Sequence, residues 1–146
     1  MQVGDSQTVP PIGGVFRWSV PVRWGDLDAQ NHVNNTLYFR YVEEARVQLF
    51  AHAGIDLPAS KVAVLARASC EFLKPISYPA TVVVSLILRR LGRSSMEMEA
   101  LIGRDDEPDA LYAKGAYVVV GTDPATGKSS PWTPQEVAQL SAVLSG

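Results

Sequence analysis

The stretch Asn35-Thr36-Leu37-Tyr38-Phe39-Arg40-Tyr41-Val42-Glu43-Glu44-Ala45-Arg46-Val47-Gln48-Leu49-Phe50-Ala51-His52-Ala53 carries its apolar residues at helical spacing. Tyr38, Tyr41, Val42, Ala45, Leu49 and Ala53 fall at i, i+3, i+4, i+7, i+11 and i+15, which is one face of an α-helix. Asn34 or Asn35 suits the N-cap, where a side-chain oxygen accepts a free backbone N–H. Gly54 suits the far end, because glycine enters the left-handed region without steric cost. Leu37, Phe39, Val47 and Phe50 widen the apolar coverage, so the helix is expected to be covered on more than one side. His52, in its last turn, is expected to cap carbonyls or to interact with the dipole.

On both sides of this helix the period changes to two. Upstream, Phe16 to Arg23 begins by alternating apolar with polar, which predicts a strand. Pro21 within it has no N–H for a ladder, so the strand is expected at an edge or at a bulge. Downstream, Val62, Val64, Ala66, Ala68, Cys70 and Phe72 alternate with Arg67, Ser69 and Glu71. Thr81 to Arg90 predicts the next strand, and Leu91-Gly92-Arg93-Ser94 a hairpin turn. Met96, Met98, Ala100 and Ile102 form one face of a further strand. A polar turn at 104–108 leads to a last strand from Leu111 to Val120, with Gly115 expected to mark a bulge. Thr133-Pro134-Gln135-Glu136 offers an N-cap, a proline at N1 and an acidic first turn, so a short helix is expected to about Leu144. Strand, long helix, four consecutive strands and a short helix describe an α+β domain with antiparallel pairing.

Composition narrows the class of protein. The chain has 146 residues, enough for one domain, and 47% of them are hydrophobic, enough for a core. Lys and Arg number 13 against 15 Asp and Glu, for a net charge of −2, and neither half is basic, so a nucleic-acid-binding face has no electrostatic support. The single cysteine, Cys70, excludes an intrachain disulfide and reads as a small core residue. Residues 1–14 are expected to be a flexible leader and not a signal peptide, with one domain over 15–146. The uncharged run Pro75 to Leu88 contains two prolines and is too short to span a bilayer, so a cytoplasmic protein without membrane association is expected.

The densest cluster of functional groups is Trp24-Gly25-Asp26-Leu27-Asp28-Ala29-Gln30-Asn31-His32-Val33-Asn34-Asn35, the loop that feeds the helix. A helix start presents free N–H groups and the positive end of a dipole, which stabilise an anion or a developing oxyanion. Two carboxylates and a histidine lie just upstream, so the parts of an acyl-transfer site are close together. On the residues alone Asp26, Asn31 and Asn34 read as turn formers and caps. Asp28 and His32 stay open between structural and catalytic roles. A calcium loop starting at Asp26 fails, because its sixth position is Asn31 and its twelfth Leu37. Zinc spacing is absent, since His32 and His52 are twenty residues apart, and there is no GxSxG elbow.

Arg23-Trp24-Gly25-Asp26-Leu27-Asp28-Ala29-Gln30-Asn31-His32-Val33-Asn34-Asn35, followed by Tyr38, Tyr41 and Glu43-Glu44-Ala45-Arg46, resembles the signature of the hotdog-fold thioesterases. The similarity is to their 4-hydroxybenzoyl-CoA thioesterase-like and long-chain acyl-CoA thioesterase branch, and the His-Val-Asn-Asn stretch is also similar to plant acyl-ACP thioesterases. The resemblance implies a long central helix wrapped by an antiparallel sheet of about five strands. It implies an acyl-CoA thioesterase that releases free acid and CoA and needs no metal or cofactor.

By the same resemblance Asp28 is the catalytic carboxylate, acting as nucleophile or as general base. Asn35 supplies the backbone N–H that polarises the thioester carbonyl. His32 orients the water or the carbonyl, or braces the loop, and Glu44 is open between site, solvent-facing and inter-subunit roles. Arg89, Arg90 and Arg93, with Lys74 on another loop, are candidates for the phosphates of CoA, which guanidinium groups bind bidentately. The acyl chain is expected between helix and sheet, against some of Leu37, Tyr38, Tyr41, Val64 and Leu65. A homodimer or homotetramer is expected, with sites at the subunit interface. Two alternatives remain at this level: an acyl-ACP thioesterase, and a non-catalytic acyl-CoA-binding module.

Overall fold

The computed structural model describes residues 9–145. Strand β1 spans Val15–Pro21, helix α1 Asn35–Ala53, β2 Val62–Phe72, β3 Thr81–Leu91, β4 Ser95–Arg104, β5 Ala113–Thr122 and helix α2 Pro134–Val143. The strands form one five-stranded sheet in the order β1-β3-β4-β5-β2, every pair antiparallel. The 19-residue α1 carries the chain from β1 at one edge to β2 at the other. The Asn34 side chain caps it by accepting from the Thr36 N–H at 2.9 Å, and Gly54 ends it in the left-handed region.

The helical stripe and the period-two faces meet in one core. Tyr38, Tyr41, Val42, Ala45 and Leu49 pack with Val82, Val84, Leu86 and Leu88 of β3, with Met96, Met98, Ala100 and Ile102 of β4, and with Tyr117 and Val119 of β5. His52 Nδ1 donates to the Gln48 carbonyl (2.8 Å), and the ring packs against Phe16 and Trp18. Helix α2 starts with the expected Thr133 cap, in a box with Glu136. Beside it the buried Lys61 ammonium donates to the carbonyls of Ser130 and Pro131, both at 3.0 Å, pairs with Glu136 at 3.2 Å and lies over the Trp132 ring. Among the described residues no helix is long and apolar enough to cross a membrane.

Three local expectations are corrected. Gly115 sits in regular register opposite Cys70 and Ala100; a Cβ there would lie 2.1 Å from the Ser69 carbonyl oxygen, so its role is close strand approach. The irregularities fall instead between Leu65 and Arg67 of β2 and between Leu88 and Arg90 of β3. The last strand begins at Ala113 and not at Leu111, although Tyr112 already donates to the Ile102 carbonyl. Val64 and Phe72 are exposed, at 46% and 43%, because β2 is an edge strand.

Of the leader expected over 1–14, residues 1–8 lie outside the described residues. The Gly13 N–H donates to the Leu88 carbonyl at 2.7 Å, and the Leu88 N–H to the Gly14 carbonyl at 3.0 Å. These bonds prolong the β1–β3 ladder. The two sheet edges are unequal. The edge of β1 is blocked at its start by paired bonds with Ser145 and ends in Pro21. The outer edge of β2 is unpaired over its 11 residues, among the described residues.

Candidate active site

The loop between β1 and α1 is built on Asp26. Its carboxylate, 4% exposed, accepts from the Arg23 N–H at 3.0 Å and from the Tyr41 hydroxyl at 2.9 Å, both at Oδ2, and from the Arg23 guanidinium at 3.4 Å. Its carbonyl accepts from the Asn34 N–H at 2.9 Å. Burial, and then the hydrogen bond to a carboxylate, push the Tyr41 phenol well above its ordinary pKa. Asp26 therefore fastens the loop to the helix, and Asn34 caps the helix. Asn31 takes the left-handed backbone, with φ 62°, that the tight turn requires.

Asp28 is held differently. Its N–H donates to the His32 carbonyl at 2.8 Å, and its carbonyl accepts from the Asn31 N–H at 3.0 Å. Oδ1 accepts from the N–H groups of Gln30 (2.8 Å) and His32 (3.3 Å). Oδ2 accepts no hydrogen bond from a described residue. A half-buried carboxylate with one oxygen clamped and the other free is oriented for proton transfer or attack.

Two further bonds complete the frame. The Val33 N–H donates to the Ile76 carbonyl at 2.8 Å, and His32 forms a bridge with Ser77, so the segment after β2 braces the loop. Asn35 is the first helical residue, whose N–H has no intrahelical acceptor.

Asp28, His32 and Asn35 line one cavity of about 320 Å³, together with Gln30, Tyr38 and the wall Phe72–Pro75. The sequence points to Lys74 of this wall as a phosphate ligand and not to its other residues; the one local signal for them is the apolar pair Phe72-Leu73 running past a strand end into Pro75. The Tyr38 ring packs edge-on against Phe72 with centroids 4.9 Å apart. Burial chiefly, with Cys70 and Asp28 adding to it, raises the Tyr38 phenol above its ordinary pKa; the Ile76 backbone opposes the shift.

Arg89, Arg90 and Arg93 do not line this cavity. Arg89 pairs with Glu99 and Arg90 with Glu97, each across the β3–β4 ladder. The exposed Arg93 side chain has no carboxylate partner among the described residues. Lys74 does line the cavity, with its ammonium 4.8 Å from the centre of the Tyr112 ring. Glu44 lies outside it and accepts from the Trp18 indole N–H at 3.1 Å. Tyr38 and Tyr41 are core residues, whereas Val64 and Leu65 are exposed.

A family model described as the thioesterase-like superfamily matches residues 22–140. The PA2801 protein of Pseudomonas aeruginosa, described as a candidate thioesterase, is 42% identical; the match covers 84% of this chain and 95% of that one, with a TM-score of 0.80. A candidate acyl-CoA thioesterase from Xanthomonas campestris is 31% identical over 79% of this chain and 96% of its own, with a TM-score of 0.70. A candidate esterase of Aquifex aeolicus (strain VF5) is 34% identical over 91 residues, which is 58% of this chain and 70% of the relative. These likenesses support thioester hydrolysis as the general chemistry.

Proposed function

This chain belongs to the thioesterase-like superfamily, with its hotdog fold, and we propose that it is an acyl-CoA thioesterase in which Asp28 drives attack on the thioester carbonyl. The observation that carries the reading is the free Oδ2 of Asp28 in the cavity that the helix start also lines. In one route Oδ2 takes a proton from a water as its oxygen adds to the carbonyl carbon. In the other Oδ2 adds directly, giving an anhydride that water then cleaves. Either way the carbonyl oxygen becomes an oxyanion, stabilised by the Asn35 N–H and the helix dipole. The C–S bond then breaks, and CoA leaves as a thiolate that takes up a proton. His32 shares the Asp28 turn and orients the attacking water.

Of the three arginines Arg93 is the most available for a CoA phosphate, because Arg89 and Arg90 would first have to leave Glu99 and Glu97, while Lys74 is the cation that lines the cavity itself. The likeness to a candidate acyl-CoA thioesterase supports CoA as the carrier, and acyl-CoA as substrate is the basis for proposing the cytoplasm.

We propose further that the protein is a homodimer built on β2. A free edge of 11 residues, with Val64, Leu65 and Phe72 exposed, invites pairing, while β1 is blunted. In the groove between α1 and β2, lined by Phe39, Arg46 and Leu65, the buried Arg46 Nη1 has no hydrogen-bond partner among the described residues. A second copy laid along this flank would give such groups a partner.

The test is thiol release over a panel of acyl-CoA thioesters, aliphatic and aromatic, by wild type and Asp28→Asn. Turnover by wild type and a loss of at least about a hundredfold in kcat for the variant are expected. Equal rates would refute the role of Asp28, and tight acyl-CoA binding without turnover would favour a binding module. In a single turnover in oxygen-18 water, label in Asp28 marks direct attack with water cleaving the anhydride at the Asp28 carboxyl carbon, because the general-base route puts all of the label in the released acid.

A further inference from the structure

Cleavage of a thioester at Asp28 leaves a thiolate that must take up a proton. Asp28 and His32 stand on the loop before α1, on the side of attack. The other wall of the cavity is the segment after β2, and it carries Lys74. Among the lining residues Lys74 alone bears an ammonium group. The Tyr38 phenol also lines the cavity, but burial makes it hold its proton more tightly than an ordinary phenol, so it is a poor donor.

The position of Lys74 is set by Tyr112. The N–H groups of Leu73 and Lys74 both donate to the Tyr112 carbonyl, at 2.9 and 3.0 Å. The Lys74 side chain is exposed, and its ammonium rests over the Tyr112 ring, 4.8 Å from the centroid. That ring is buried and is fixed in turn by the Tyr112 hydroxyl, which donates to Glu107. Lys74 pairs with no carboxylate among the described residues. A cation–π contact at an exposed site is weak, and the lysine stem is flexible, so the ammonium can leave the ring for a stronger acceptor.

Asp28 and Lys74 thus line one cavity with opposite charges that are not paired with each other, and Asp28 Oδ2 accepts from no described residue. The space they flank suits a thioester. Negative charge enters the carbonyl from the Asp28 side and leaves on sulfur, where a cation lowers the barrier. In acyl-CoA the phosphates lie at the far end of the pantetheine arm. A cavity of about 320 Å³ that holds the reacting carbonyl has room for the sulfur and the first atoms of that arm, so a cation within it serves the sulfur.

We propose that Lys74 is the general acid of the reaction, giving its proton to the leaving sulfur as the C–S bond breaks. This rests on the acyl-CoA thioesterase reading above. The electron pair of the C–S bond goes to sulfur, the proton moves from Nζ to sulfur, and a neutral thiol departs. In the general-base route the proton that Oδ2 took from water returns through solvent to the Lys74 amine, which resets both groups. In the direct route the amine takes its proton from the water that cleaves the anhydride.

The test uses thioesters of one acyl group, hexanoyl, on three thiols without phosphates: N-acetylcysteamine, thiophenol and 4-nitrothiophenol. Their thiolates fall in basicity in that order, and so does their need for a proton. Lys74→Met is expected to lower kcat/KM for the N-acetylcysteamine thioester at least about tenfold and to leave the 4-nitrothiophenol thioester within about twofold of wild type. Lys74→Gln is the second variant and should behave alike; unchanged elution volume and thermal transition check both folds. Lys74→Arg keeps a cation that does not give up its proton, so the N-acetylcysteamine thioester should still react at least about threefold more slowly than with wild type. Equal losses with all three thiols, or no loss with any, would overturn the inference and leave the thioesterase reading intact. A loss confined to hexanoyl-CoA would do the same and return Lys74 to the phosphates. A Lys74→Arg protein as fast as wild type would show that charge alone suffices and would overturn the proton transfer. A wild type that turns over no thioester, hexanoyl-CoA included, would refute the thioesterase reading itself and this inference with it.

Discussion

Tyr41→Phe removes one hydroxyl and little else, and its cost follows from the geometry around Asp26. The Asp26 carboxylate is 4% exposed and has three donors: the Arg23 N–H, the Arg23 guanidinium and the Tyr41 hydroxyl. The guanidinium bond is the longest, at 3.4 Å, and its side chain is 76% exposed, so solvent screens it. The hydroxyl, at 2.9 Å in a buried setting, is a principal compensation for the buried charge. A hydrogen bond to a charged group contributes about 1.5–3 kcal/mol, and phenylalanine leaves Oδ2 with the Arg23 N–H as its one remaining donor among the described residues.

A loss of about 2 kcal/mol is expected, or about 5 °C in Tm for a chain of this size at fixed protein concentration. Thermal and urea unfolding of wild type, Tyr41→Phe, Asp26→Asn and the double variant measure it. The double-mutant cycle should give a coupling of at least about 1 kcal/mol. The Asp28 turn has its own backbone bonds, so kcat should fall less than stability does. Additive effects in the cycle, or a Tyr41→Phe protein as stable as wild type, would refute the view that this pair fastens the loop.

Other outcomes follow from the same coordinates. Tyr38, Tyr41 and Tyr117 hold their protons more tightly in the fold than in the unfolded chain, where tyrosine titrates near pH 10. Stability should therefore fall as pH rises above about 10, and Tyr41→Phe should shrink that alkaline loss in a pH series of urea midpoints. Gly115→Ala would press a methyl group into the Ser69 carbonyl and should cost about 3 kcal/mol by urea unfolding. Lys61→Met leaves Glu136 and two carbonyls without their buried cation and should cost about 3 kcal/mol, with α2 the first element to lose amide protection. Arg93→Ala should raise KM for an acyl-CoA but leave it unchanged for the matching N-acetylcysteamine thioester, which has no phosphates; equal KM for both in the variant and wild type would remove Arg93 from the site.

Much of this molecule is written locally. The 3.6-residue stripe of α1, its Asn34 and Gly54 ends and the Thr133 start of α2 need no distant partner, because propensity, capping and periodicity act within a few residues. The crowding of Asp28, His32 and Asn35 into one loop and helix start is likewise local, and the fold keeps them around one cavity; the role proposed for each came from the family resemblance.

Long-range pairing decided the rest. Alternation in β2 indicates that one face is apolar, but only the placement of β2 at an edge leaves Val64 and Phe72 exposed. A glycine in a strand reads as a bulge, yet the approach of the Ser69 carbonyl is what requires Gly115. The arginines 89, 90 and 93 are close in sequence, whereas cross-strand glutamates take Arg89 and Arg90 and none of the three lines the Asp28 cavity. The wall Phe72–Pro75 joins the site only because Ile76 and Ser77 bond back to the loop across more than forty residues of chain. A residue's own neighbours set its backbone, but which surface it meets depends on strand order, and strand order is settled by the packing of the whole sheet against α1.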